Sequence, residues 1–304
     1  MRTFRKNYEL LLLCLPALAA YIIFSYVPMI GLVLPFKNYK YAKGLFGSDW
    51  YGLKNFQFLF RSIDFKRITV NTVSYGVLFM AAGSVMNILF ALLLFEIKNI
   101  RASLKVYQTI MTFPNFMSWV IVGFITYALL NPSLGVLIQI LRFFNPDATL
   151  DVYVNAGYWP FILTFVNVWK GLGIGSMMYL AALLAVDPEL YEAATIDGAS
   201  RLQQVRHISL PHIIPLWTIL TIMGAGSLFR GDLGLFFQIP RDVSVLYPTT
   251  DIIETYIYRA LKDPRSMNWQ IGAATGLVQS VVGLFFVGIT NYIVSKISPE
   301  NAMF

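Results

Sequence analysis

The 304-residue sequence holds one cysteine, Cys14, and two histidines, His207 and His212. A single thiol forms no intrachain disulfide, and no Cys/His cluster is available to ligate a metal. The two histidines stand five apart, off the four-residue spacing that would put both on one helix face, and read as polar loop residues. Charge is scarce too. Asp, Glu, Lys and Arg make up 13% of the chain, about half of the roughly 25% usual in soluble domains. The dipeptide Gly-Lys never occurs, which excludes a P-loop cradling nucleotide phosphates. Paired carboxylates and a G-x-S-x-G nucleophile turn are also missing, so nothing points to an enzyme. The net charge of +7 needs no nucleic acid as partner. No basic run with interleaved aromatics occurs, and a few unpaired Lys and Arg beside a membrane suffice.

What the chain has in excess is apolar: 57% hydrophobic residues and a mean hydropathy of +0.62. A soluble fold of this size could not hide that much apolar surface, and disorder is excluded on the same ground. The reading is an all-α integral membrane protein. Stretches without charge run from Leu10 to Phe36, Ile68 to Phe95, Val106 to Leu141, His207 to Phe229 and Ser266 to Ser295, while Val152 to Val186 carries Lys170 alone. Each exceeds the roughly 20 residues needed to cross a bilayer. Six spans are predicted, at about 10–34, 68–95, 106–130, 158–185, 213–230 and 270–294, as one membrane domain over 1–304. Pro16, Pro28, Gly83, Pro114 and Gly171 punctuate them. Gly171, Gly173, Gly175 and Ser176 in span four, and Gly272, Ala273, Ala274 and Gly276 in span six, predict close helix approach.

The N-terminus imitates a secretory signal: Arg2, Arg5 and Lys6, an apolar run, then Ala17-Leu18-Ala19. The apolar run continues well past Ala19, too far for a signal, so an uncleaved first span is expected. Orientation is not settled by charge. With the N-terminus inside, inner segments carry nine Lys and Arg and outer segments thirteen, yet the tight loop Glu96–Lys105 holds three basic residues and favours that orientation.

The most informative segment lies between spans four and five. Asp187-Pro188-Glu189 has the marks of a helix start, with an N-cap, a first-turn proline and an acid at the positive dipole end. A short helix, Glu189–Asp197, should end at Gly198, which is free to take positive φ. A second helical stretch, Ser200–Ile208, should stop at Leu210-Pro211 before the chain re-enters the membrane. Here Glu192-Ala193-Ala194, then Gly198, then Ile208, Leu210 and Pro211 satisfy E-A-A-x3-G-x9-I-x-L-P at all seven fixed positions. A chance match is on the order of one in a million.

This loop resembles the signature of the permease subunits of maltose-type ABC importers. Trp169-Lys170-Gly171, the run Tyr247-Pro248-Thr249-Thr250-Asp251 and the terminal Ser298–Phe304 look like the subgroup importing complex oligosaccharides. The segment 35–67 lacks the large insertion of the maltose permease's bigger subunit. The resemblance implies that Glu192, Ala193, Ala194, Asp197, Gly198, Ile208, Leu210 and Pro211 form a coupling helix docking on a cytoplasmic ATPase. It therefore implies a cytoplasmic loop and N-terminus in a bacterial cell membrane. It also implies two ATPase subunits that hold the ATP and Mg, with no cofactor in this chain. A second permease subunit in a heterodimer, an extracellular solute-binding protein and an oligosaccharide substrate complete the implied assembly.

Polar and aromatic groups at membrane depth are the candidates for a sugar path: Asn115 and Trp119 in span three, Asn167, Trp169 and Lys170 in span four, and Gln279 in span six. A sugar needs hydrogen-bonding groups and flat apolar faces, and these types supply both. Interhelical hydrogen bonding is the plainer use for each. No Asp or Glu lies inside a span, which counts against the alternative of an ion-coupled secondary transporter. An ABC importer of a non-sugar solute is the other alternative.

Overall fold

A computed structural model describes residues 8–98, 100–262 and 268–297. Arg2, Arg5, Lys6, Arg265 and the terminal Ser298–Phe304 lie outside the described residues. In chain order the principal helices are α1 Tyr8–Tyr21, α2 Ile63–Glu96, α3 Arg101–Thr112, α4 Trp119–Leu130, α5 Trp159–Leu184, α6 Pro188–Ile196, α7 Arg201–Gln204, α8 Leu210–Ala225, α9 Leu233–Gln238, α10 Ile253–Lys262 and α11 Trp269–Ile297. Among the described residues, five helical segments are long and apolar enough to cross a membrane, and the bent pair α3–α4 makes six if it is one span. Phe24, Phe161 and Leu284 are 79%, 77% and 72% exposed, as suits side chains whose solvent is hydrocarbon.

The chain divides into two compact units, 1–62 with 257–278 and 63–256 with 279–304. In the first, α1 continues as a π-helical turn Ile22–Tyr26 and a 3-10 helix Val27–Phe36. Pro28 and Pro35 withhold N–H groups from a regular ladder here. A two-residue antiparallel ladder follows, pairing Lys37 with Trp50 and Asn38 with Asp49. Asn55 braces it, donating Nδ2 to the carbonyls of Pro35 (2.7 Å) and Lys37 (3.0 Å). On α11, Gly272 lies against Ala260 and Ile257 of α10, the close approach its small residues predicted.

In the second unit α2 and α5 pack lengthwise. A Cβ on Gly173 would overlap the Met111 carbonyl and Thr112, and one on Gly175 would overlap Asn87, so these two glycines set the helix spacing. One apolar cluster gathers Tyr75, Val122, Trp159, Leu163, Leu235 and Phe236. A second gathers Ala91, Leu94, Phe95, Tyr179, Leu183 and Ile213.

Two expectations about the spans change. The stretch expected as span three, 106–130 and punctuated by Pro114, is a bent pair: α3 and α4 meet at 101°. Between them Phe113–Phe116 forms a 3-10 turn containing Pro114, and Ser118 restarts the helix as N-cap, its Oγ accepting the Ile121 N–H at 3.3 Å. Nor does Leu210-Pro211 stop a helix before span five. Helical structure runs unbroken from Arg201 to Ala225 and ends five residues short of the expected 230. Val205–Ser209 is a π-helical turn in which the Leu210 N–H already reaches back to Val205 O. The missing N–H of Pro211 therefore falls where the ladder changes period, at the first turn of α8, where proline is tolerated.

Candidate functional site

The loop between α5 and α8 is a helical hairpin built from its local sequence. Asp187 caps α6, its Oδ1 accepting the Glu189 N–H at 3.0 Å. Gly198 ends the turn with φ +78°, a conformation that costs little only for glycine. Ser200 and Gln203 form a reciprocal capping box at the start of α7. Across the hairpin, Gln204 donates Nε2 to Thr195 Oγ1 at 3.0 Å, and Tyr191 Oη meets Ser209 Oγ at 3.0 Å. Of the expected contact residues, Glu192, Ala193, Asp197, Gly198 and Pro211 are exposed, while Ala194, Ile208 and Leu210 are half-buried. Sequence reading missed Ile196 and Leu202, which stand 86% and 77% exposed on this polar hairpin. Each is apolar where the local pattern calls for solvent, and that was the available signal. His207 and His212 each donate Nδ1–H to a carbonyl four residues back, Gln203 O and Ile208 O, so both are helical rather than loop residues.

A cavity of about 440 Å3 opens elsewhere in the same unit, within the roughly 300–1,000 Å3 of small-molecule sites. Thr72, Tyr75 and Phe79 of α2 form one wall. Asn167 of α5 joins them, and Gly224 at the end of α8 with the segment Ser227–Asp232 beyond it closes the other side, including Arg230 and Asp232.

At the cavity's edge Trp119 lies between two charges. Its Nε1–H donates to Asp232 Oδ2 at 2.7 Å, and Lys170 Nζ sits 5.0 Å from its ring centroid. The carboxylate at the N–H edge and the ammonium over the face polarise the indole in the same sense, so the two contacts reinforce each other. Lys170 also donates to the Asn115 carbonyl at 2.9 Å, made accessible by the 3-10 break. The sequence-predicted Asn115, Trp119 and Lys170 thus come together, and Asn167 lines the cavity. Trp169 packs against the apolar cluster instead. Gln279 donates its amide to Glu254 Oε1 and Phe229 O, while the Gly231 N–H reaches the same carboxylate oxygen at 2.7 Å. This clamp holds the unwound end of α8. Asp232, Arg230 and Glu254 were not singled out from sequence, although Asp232 is a legible N-cap of α9, accepting the Leu235 N–H at 3.2 Å. Near this region burial pushes the Tyr153 phenol up to about 12, opposed in part by Arg241, so it remains a neutral donor.

Beyond the cavity, the Tyr247–Asp251 run is tied to the start of α2. The Asp251 carboxylate is fully buried and accepts from Arg67 Nη2 at 3.1 Å and Thr255 Oγ1 at 2.7 Å. Asn71 Nδ2 donates to Asp251 O at 2.9 Å, and Tyr75 Oη to Thr249 O at 2.8 Å.

Residues 83–299 match the family described as binding-protein-dependent transport system inner membrane components. The chain is 35% identical over 298 residues to the polygalacturonan/rhamnogalacturonan transport system permease protein YteP of Bacillus subtilis, covering 96% of this chain and 89% of that protein. It is 31% identical over 301 residues to protein LplB of the same organism, covering 99% and 93%. Among solved structures, a bacterial ABC transporter involved in the import of the acidic polysaccharide alginate matches with a TM-score of 0.85 and 31% identity, over 98% of both chains. A bacterial alginate ABC transporter in complex with an alginate pentasaccharide-bound periplasmic protein matches at 0.83 and 31%, over 98% and 97%.

Proposed function

The chain belongs to the family of binding-protein-dependent transport system inner membrane components, and from that premise we propose that it is the permease subunit of an ATP-driven oligosaccharide importer. The observation that carries this reading is the 187–211 hairpin: capped at both helix starts, turned at Gly198 and displaying Ile196 and Leu202 to solvent. A rigid polar hairpin with two exposed apolar side chains suits a cleft on another protein. That protein is a cytoplasmic ATPase, which places the hairpin and the N-terminus on the cytoplasmic side. ATP and Mg are bound there and not by this chain.

The 440 Å3 cavity, with Asn167 and the Trp119–Asp232 pair, lies on the substrate path. Six spans enclose too little for a saccharide, so a second permease subunit faces this one as a heterodimer. Two ATPase subunits sit beneath, and a binding protein delivers the saccharide from outside. ATP-driven closure of the ATPases moves the hairpin and switches the access side. The named substrates of the relatives, polygalacturonan/rhamnogalacturonan and alginate, are saccharide chains and support that substrate class over a non-sugar solute. An ion-coupled carrier is not favoured by the family.

Co-expression with the partner subunits tests the reading. An ATPase subunit should co-purify with the wild-type chain and be lost with Glu192→Lys, while a cysteine at Ala199 should react with an impermeant maleimide only in opened membranes. Labelling of Ala199→Cys in intact cells, with Cys14 replaced, would contradict it.

A further inference from the structure

The hairpin runs on into α8 as one helical segment, Arg201–Ala225, but it has few side-chain links to α2. Helix α6 buries none of its residues, and Tyr191 is the one side chain of α6 packed against the apolar cluster at the end of α2 and α5. Its ring lies 5.3 Å from the Phe95 ring of α2. Lys98, just beyond α2, caps both rings, 3.7 Å from the Phe95 centroid and 5.4 Å from that of Tyr191. The Tyr191 hydroxyl meets buried Ser209 at 3.0 Å, immediately before α8. The other link from hairpin to α2 is Arg201–Glu96 at 3.6 Å, with side chains 80% and 42% exposed, and such pairs transmit little.

Helix α2 has 34 residues and no proline, about 51 Å at 1.5 Å per residue. Its middle, Thr72 to Met80, is a wall of the cavity. One continuous helix therefore connects Phe95 to the cavity wall, so a displacement at Phe95 tilts the wall about the bonds that hold Thr72 and Tyr75.

We propose that Tyr191 is the positioning residue that joins the hairpin to α2, so that motion at the hairpin reaches the cavity through the Tyr191–Phe95–Lys98 stack. This rests on reading 187–211 as the coupling loop. The ring carries the link to α2 and the hydroxyl the link to α8, so the two are separable by substitution.

The experiment measures saccharide imported per ATP hydrolysed by the complete complex in proteoliposomes. Tyr191→Ala should lower that ratio by roughly ten-fold, the effect of losing an aromatic pair and a cation–π contact together, while ATP hydrolysis and co-purification of the ATPase stay near wild type. Tyr191→Phe, which keeps the stack, should retain most of the ratio. Lys98→Met should fall between. Tyr191→Leu, which keeps apolar bulk but loses ring and hydroxyl, is measured alongside and should behave as alanine does, so a folding failure of one variant does not decide the matter. A wild-type ratio in both Tyr191→Ala and Tyr191→Leu would overturn the proposal and leave the coupling-loop reading standing. A wild-type complex importing saccharide without hydrolysing ATP would overturn that reading as well.

Discussion

The two ends of α2 are held by different physics. At its start Arg67 reaches the fully buried Asp251 carboxylate, and Asn71, Thr72 and Tyr75 each bond the backbone of 248–253. At its far end Phe95 and Lys98 meet Tyr191 through ring faces and a cation, and Glu96 meets Arg201 in solvent. Directional hydrogen bonds around a desolvated charge tolerate little displacement, whereas stacked rings and exposed ions slide at small cost. One end is fastened and the other is a joint. A helix so mounted can tilt about its start when its far end is pushed, and the cavity wall begins at the fastened residues Thr72 and Tyr75 and runs on to Met80.

The largest expected effect comes from unfastening the start. Arg67→Met takes the guanidinium from the fully buried Asp251 carboxylate, a loss of up to about 3–5 kcal/mol, read as a fall in the thermal midpoint of the detergent-solubilised protein. Asp251→Asn in the same chain should recover much of it, since the buried charge is gone. Next comes the hairpin itself. Gly198→Val forces a β-branched residue to φ +78°, about 1–3 kcal/mol of strain, and should lower substrate-stimulated ATP hydrolysis without preventing membrane insertion.

Between the ends, Trp119→Phe removes the donor to Asp232, an exposed carboxylate that water can serve instead, a loss of about 0.5–1.5 kcal/mol. Its expected readout is weaker saccharide affinity with an unchanged need for ATP. At the joint, Arg201→Ala should change stability by less than about 1 kcal/mol, which thermal melts of the two proteins would check. The smallest effect lies at the Lys43–Asp49 pair, outside this comparison. The Lys43 hydrogen bond and charge hold the Asp49 carboxyl below its ordinary value. Its contribution is present above the unfolded carboxyl pKa and is lost as pH falls through the folded one. The difference between wild type and Lys43→Met should therefore shrink on acidification.

How much of this was legible depends on whether a feature is encoded locally. The hairpin was readable because Asp187, Pro188, Gly198 and Ser200 each act within a few residues of themselves. The long helices over the ranges expected for spans two, four and six were readable from charge-free length, good to about five residues. The 101° break in span three was hidden because Pro114 in an apolar run is compatible with a kink, a turn or a straight buried helix. The cavity was half-legible. Trp119 and Lys170 are conspicuous types at membrane depth, but Asp232, Arg230 and Glu254 lie in a polar stretch where charge is unremarkable. The partners of Glu254 and Asp232 described above are 23 to 113 residues away in the chain, and no local pattern announces such a pairing. The Tyr247–Asp251 run was noticed as a sequence resemblance, while its fastening role needed the fold to bring Arg67 to Asp251.

The central claim is that this chain supplies a path and a lever while another subunit supplies the energy. It is tested most directly by uptake of labelled oligosaccharide into vesicles holding the chain, its partner permease and the ATPase, with binding protein outside. The expected result is uptake that requires ATP inside the vesicles and the binding protein, and that a protonophore does not diminish while ATP is clamped. Uptake by this chain alone, driven by an imposed pH or sodium gradient without ATP, would contradict it.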